Sequence, residues 1–200
     1  MKMKFDHVMQ FKIALKDIKP PVWRRIQVPC TDSFWDLHIA IQDAMGWMDC
    51  HLHEFVFSSQ TENTCIRIGI PDEDDYLSLR PVLPGWEIPI AGVFSLMLRK
   101  IEYVYDFGDD WRHTVTLEKI FPKPKDSNYP VCVGGKRACP PEDCGGISGY
   151  YHLLEVLSNP QHELHEDMIT WMGGSFDPEQ FDYKSVKFDD PEERWHRAFN

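Results

Sequence analysis

The chain has no long apolar run, no long low-complexity tract and no internal repeat at solenoid or propeller periods. The first absence excludes a bilayer-spanning helix. Together with the charged start MKMKFDHVMQFKIAL, it leaves no secretory signal, so a cytoplasmic protein without a membrane partner is expected. The second argues against global disorder, although 15 Pro and 12 Gly are scattered through the chain. The third removes repeat architectures. Positive charge is also scarce. With 21 basic against 32 acidic residues the net charge is −11, which disfavours broad nucleic-acid binding. The clearest basic cluster, Lys19, Arg24 and Arg25, is small. There is no Walker loop, no G-x-G-x-x-G and no G-x-S-x-G, so no nucleotide loop or nucleophile elbow supports an enzyme class. The six cysteines include no C-x2-C pair of the zinc-ribbon kind, and in a cytosolic chain they read as thiols or metal ligands rather than a disulfide framework.

What is present is enough apolar residue for one sizeable core, 42% of 200 positions. A single domain over 1–200 is expected, with a sheet core at 1–122 and a Cys/Gly-rich loop, two helices and a tail at 123–200 packed on it. Phe5 to Leu15 and Val22 to Val28 read as strands around Lys19-Pro20-Pro21. Ser33 to Met45 reads as the main helix. Phe34, Leu37, Ile41, Ala44, Met45 and Met48 form its stripe, Ser33 caps it with Asp36 three residues on, and Gly46 ends it. Strands follow at 51–58 and 65–70, then an acidic loop at Pro71 to Tyr76 and a short helix at Val93 to Arg99. Ile101 to Phe107 and Trp111 to Ile120 read as a hairpin. A three-residue loop, Gly108 to Asp110, sets Phe107 opposite Trp111 and Tyr105 opposite His113, with the large apolar groups on one face. Helices at 148–157 and 161–172 and an aromatic-spaced tail complete the chain. This order points to an α+β fold, a β-grasp-like mixed sheet with one main helix plus a C-terminal Cys/Gly loop and helical appendage.

Candidate chemistry gathers at three places. In YVYDFGDDWRHTV, the residues Tyr105, Asp106, Asp109, Asp110, Trp111, Arg112 and His113 would form a pocket rim where carboxylates and imidazole hold a metal or move protons. The ordinary explanation is a turn with an Asp106–Arg112 cross-strand ion pair. In HLHEF, His51 and His53 are two apart on a strand and share a face, as a metal pair would. The Asp-His continuation of the HxHxDH hydrolase pattern is absent, and a half-buried polar pair is the alternative. Cys132, Cys139 and Cys144 are spaced C-x6-C and C-x4-C. A zinc there needs a fourth ligand such as His152 or Cys65, and small buried thiols explain the same residues. His162-Glu163-Leu164-His165-Glu166 is one residue short of H-E-x-x-H and reads as a solvated helix start.

Several stretches together resemble the plasmid pRiA4b ORF-three-like family: PPVWRRIQVP at 20–29, DLHIAIQDAMGW at 36–47 with HLHEF, and YVYDFGDDWRHTV at 103–115. ACPPEDCGGISGYYHLLEVL at 138–157 and FDPEQFD at 176–182 complete the set. The resemblance implies an α+β protein of plasmids, transposable elements and chromosomes, from a family without an assigned activity. Its motifs fall on His51, His53, Asp106, Gly108, Asp109, Trp111, His113, Cys139, Cys144, Gly145 and Gly146. The resulting expectation is a non-enzymatic binding or accessory domain whose partner is a protein or small ligand. One alternative is a metal-dependent hydrolase or nuclease-like enzyme using His51, His53, Asp106, Asp109 and His113. Another is a structural zinc protein through Cys139 and Cys144. Zinc or another divalent metal is the cofactor these residues allow.

Overall fold

The computed structural model describes residues 6–58, 64–72, 80–95 and 97–199. The expected strand start at Phe5 and most of the acidic loop at Pro71 to Tyr76 lie outside them. The described chain is α+β: eight strands form one sheet, and five helices decorate it. The strands are β1 His7–Leu15, β2 Trp23–Pro29, β3 His53–Ser58, β4 Cys65–Gly69, β5 Val82–Pro84, β6 Lys100–Tyr105, β7 Trp111–Pro122 and β8 Val131–Lys136. The helices are α1 Phe34–Met45, α2 Ile90–Val93, α3 Gly146–Ser158, α4 His165–Met172 and α5 Pro191–Phe199. No helix among the described residues is long and apolar enough to cross a membrane.

The strand order is β5-β4-β3-β6-β7-β1-β2-β8, antiparallel except for β4 with β5. The β-grasp expectation does not extend to this pairing, because β1 lies antiparallel to β7 inside a wider sheet. Period-two alternation gives the sheet two chemistries. One face, with Phe11, Ile13, Ile26, Phe55, Tyr103, Val115 and Leu117, packs into the core with α1. The other carries cross-strand ion pairs: Arg25–Glu118 at 2.7 Å, Lys16–Glu102 at 2.5 Å and Arg67–Glu54 at 2.6 Å.

The main helix forms for the reasons its sequence states. Ser33 Oγ accepts from the Asp36 amide while the Asp36 carboxylate accepts from the Ser33 amide at 2.7 Å, and Gly46 closes the helix at φ +93°. Two expectations need correction. The short helix is Ile90–Val93, earlier than Val93 to Arg99. The strand β8 falls in the stretch read as a Cys/Gly loop, so the sheet continues past residue 122. Its glycines hid it. A Cβ on Gly135 would stand 2.2 Å from the Phe181 ring, so glycine is what lets the tail cross this strand. Phe181 then covers the buried Arg24 guanidinium at 3.6 Å.

The central hairpin is also shifted. Tyr105 pairs with Trp111 and Tyr103 with His113, leaving a five-residue loop, 106–110, instead of three. The slip is two residues, so the facing of each side chain survives. The turn closes with the Asp110 amide on the Asp106 carbonyl at 2.7 Å, and Asp106 and Asp110 adopt φ +56° and +53°. Phe107, expected inside, is 49% exposed at the tip. Ser33→Ala should lower the unfolding free energy by about 1 kcal/mol, read by urea titration; an unchanged midpoint would show that packing alone fixes α1.

Candidate functional site

Asp106 leaves the strand through its left-handed backbone and turns away from Arg112, contrary to the expected ion pair. Arg112 stands opposite Val104 and pairs instead with Asp110 at 2.8 Å and Glu102 at 2.9 Å. Asp106 is nearly buried, and its Oδ1 accepts from the amides of Gly108 at 2.9 Å and Asp109 at 3.3 Å. That leaves Oδ2, which lies 3.7 Å from His51 Nε2.

Two other segments complete the site. The chain from Trp47 to Leu52, between α1 and β3, brings His51; the loop before α3 brings Glu142 and Asp143. Glu142 Oε1 accepts from the Met48 amide at 2.8 Å and from the Tyr105 hydroxyl at 3.1 Å, while Tyr105 Oη itself accepts from the Cys50 amide at 3.0 Å. Burial, then the Glu142 carboxylate, pushes the Tyr105 phenol up, so it stays a donor. Glu142 Oε2 lies 4.0 Å from His51 Nε2, and Asp143 Oδ1 lies 2.9 Å from it. The His51–Asp143 contact is short, yet it lacks the direction of a hydrogen bond, and the buried Nε2 has no hydrogen-bond partner. Among the described residues, His51, Asp106 and Asp143 are the group of metal-ligating side chains whose donor atoms lie within 4.8 Å of one another.

The loop is clamped to the hairpin tip by Asp109. Its carboxylate accepts from the Gly145 amide at 3.1 Å, and its carbonyl sits where a Cβ on Gly146 would come within 2.6 Å. Gly146 also adopts φ +66°. Asp109 therefore positions the site rather than lining it.

The other predicted residues go elsewhere. His53 does not share the environment of His51. It lies in the core, stacked on His38 with ring centroids 3.4 Å apart and 7° between planes. The Tyr103 hydroxyl accepts from Gln42 at 2.8 Å and contacts His38 Nδ1 at 2.8 Å. That contact makes Nδ1 the acceptor, and Nε2–H donates to Asp49 at 2.8 Å. His113 is fully buried, edge-on to Trp47 at 5.3 Å, with Nδ1 3.3 Å from the Tyr103 carbonyl. Trp111 is likewise core. Burial lowers all three imidazoles, His38 and His53 well below their ordinary value and His113 to about 4. Cys132, Cys139 and Cys144 do not meet as a ligand set among the described residues. Burial pushes the Cys139 and Cys144 thiols up to about 12. His38, Asp49, Glu142 and Asp143 were missed as individual residues. The last two lie in PPEDCGG, a stretch read for its cysteines and glycines rather than for its carboxylates.

Comparison with known proteins bears on the family and the fold. The family model "Plasmid pRiA4b ORF-3-like protein" matches residues 7–185. "Uncharacterized protein y4hQ" from Sinorhizobium fredii is 34% identical over 171 residues, covering 84% of this chain and 82% of that protein. The crystal structure titled "Protein of Unknown Function MM3350", from Methanosarcina mazei Go1, superposes with a TM-score of 0.85 at 43% identity, covering 92% of this chain and all of that one.

Two outcomes follow from the geometry. Gly146→Ala should cost about 1–3 kcal/mol by urea unfolding, while Gly92→Ala, whose Cβ meets nothing within 4 Å, stays within about 0.5 kcal/mol; equal effects would remove the clamp. The buried imidazoles also set a pH dependence. Unfolded, they take up protons below about 6.5, whereas His113 resists until about 4, so acidification through that window favours unfolding. Asp32 and Asp49, raised by burial to about 8 and about 6, act in the opposite sense. His113→Gln isolates the imidazole: it should flatten the stability-versus-pH curve between 6.5 and 4 by roughly 3 kcal/mol in total. A curve of unchanged slope would mean that His113 titrates normally.

Proposed function

The chain belongs to the plasmid pRiA4b ORF-3-like family, and we propose that it is a binding domain whose ligand is a divalent cation held by His51, Asp106, Glu142 and Asp143. The observation that carries this reading is the buried, unpartnered Nε2 of His51, facing carboxylate oxygens at 2.9, 3.7 and 4.0 Å. Ligands about 2.0–2.2 Å from a common zinc ion lie roughly 3–3.5 Å from each other, so this spacing suits donors aimed at a shared point better than donors aimed at one another. The carboxylates are oriented for it. Asp106 uses Oδ1 on backbone amides and leaves Oδ2 toward His51, while Glu142 takes the Met48 amide on Oε1 and shares the Tyr105 hydroxyl between its two oxygens; hydrogen bonds of this kind orient the carboxylates that hold a metal. One imidazole with three carboxylates suits zinc or manganese.

A hydrolytic role is the second reading, favoured by the 68% exposure of the Asp143 side chain, which leaves the site open on one side. A cation there would supply Lewis acidity and a more acidic bound water. Of the chain's own groups, Asp106 and Glu142 fix the geometry, and the exposed Asp143 is the one free to move.

Calorimetric titration of zinc and manganese, with metal counted per chain, tests the reading. Wild type should bind stoichiometrically. Asp106→Asn, which keeps the turn-capping oxygen, and His51→Ala should each weaken binding at least about tenfold. Cys139→Ser should bind as wild type does. No binding by wild type, or loss with Cys139→Ser and retention with Asp106→Asn, overturns it.

A further inference from the structure

On the far side of α1 from its Gly46 end, a cavity of about 410 Å³ opens between the start of that helix, the loop from β5 to α2, and α5. Its volume lies in the range of small-molecule sites, roughly 300–1,000 Å³. Three indoles line it: Trp35 from α1, Trp86 from the loop and Trp195 from α5. Trp195 stands 5.4 Å from Trp35 at 85° and 4.6 Å from Trp86 at 69° between planes. The rings therefore give walls in two nearly perpendicular directions rather than one stack. Trp35 is fixed by donation from its indole nitrogen to the Pro191 carbonyl at 3.0 Å.

The charged lining is of one sign. Asp36, Glu87 and Glu192 contribute carboxylates, and no lysine or arginine among the described residues lines the cavity. These carboxylates do not form a metal-ligating group among the described residues, so a small hard ion is not what they suit. A bulky, weakly hydrated cation is: its charge is attracted by the indole faces and by the distributed carboxylates, and its methyl groups bury against the rings. An anion would meet three carboxylates. A neutral apolar group would forgo their field.

We propose that this cavity binds a methylated ammonium group through Trp35, Trp86 and Trp195, with Asp36, Glu87 and Glu192 supplying the field. The third wall depends on α5, which buries none of its own residues completely. It is held by Arg194, which contacts Asp43 at 2.8 Å, Asp189 at 2.7 Å and Asp49 at 3.6 Å. The region matched by the family model ends at residue 185, before this helix. The site is separate from the His51 pocket, and the proposal stands or falls independently of that reading.

The test is tryptophan fluorescence and calorimetric titration of the full chain with tetramethylammonium, choline and 3,3-dimethylbutan-1-ol, the neutral isostere of choline. A trimethyllysine peptide serves as a further arm. Saturable binding of the cations, with the isostere at least about tenfold weaker, is expected. Trp86→Ala should lose at least about tenfold and Trp86→Phe should recover part of it. Trp86 is partly exposed, so neither variant should unfold the chain. Choline binding without peptide binding assigns a free small molecule, and the reverse assigns a side chain; both support the site. Equal binding of the isostere, no saturable binding at millimolar cation, or Trp86→Ala binding as wild type overturns it.

Discussion

The candidate metal pocket depends on one docking event, the loop before α3 settling on the turn between β6 and β7. Asp109 makes it possible. Its carboxylate takes the Gly145 amide, and its carbonyl occupies the space a side chain at 146 would need. Trp47 adds a second tether, donating its indole N–H to the Pro140 carbonyl at 2.9 Å. The loop thereby reaches both the hairpin and the exit of α1, and Glu142 and Asp143 are delivered beside His51. Without that contact Asp106 and the Glu142–Asp143 pair would lie on separate segments.

Beneath the pocket lies a polar layer that most cores of this size avoid. His38, His53, His113, Gln42 and Tyr103 are buried among aromatic rings. Burial of such groups is tolerable only where hydrogen bonds replace water. The chain Gln42–Tyr103–His38–Asp49 does this for part of the layer, and Asp49 in turn faces Arg194 of α5, while Gln42 Oε1, His53 Nδ1 and His113 Nε2 are buried without a hydrogen-bond partner. One polar thread thus joins α1, β6, the segment before β3 and α5. Burial keeps the His38 and His53 imidazoles neutral, so they occupy the core without carrying charge into it.

The sequence made the regular parts legible because local physics decides them. The stripe and caps of α1, the alternation of β6 and β7, and the α+β class all rest on periodicity and capping chemistry. What it concealed was set by distant contacts. The hairpin loop was two residues longer than turn statistics suggest, since two aspartates accept left-handed backbone that one would assign to glycine. Strand β8 was hidden by Gly134 and Gly135, the second of which leaves the space that Phe181 occupies. His51 and His53 looked equivalent by spacing, but β3 begins only at His53, so the period-two rule does not hold across the pair. Glu142 and Asp143 carried no local signal, because nothing near them in the chain says that Tyr105 and His51 wait on the other side.

The two faces of the sheet show how one acidic chain uses carboxylates in opposite ways. On the solvent face, Glu54, Glu102 and Glu118 are each met by arginine or lysine, so their charge is neutralised within the sheet. At the pocket, Asp106 and Glu142 are met by amides and a phenol, which orient an oxygen without cancelling its charge. Amide N–H groups hold the carboxylate oxygens they meet without adding a formal positive charge, so the net negative charge of the group remains beside His51. Carboxylates oriented by amides around one imidazole are thus arranged differently from the carboxylates whose ion pairs tie the strands together.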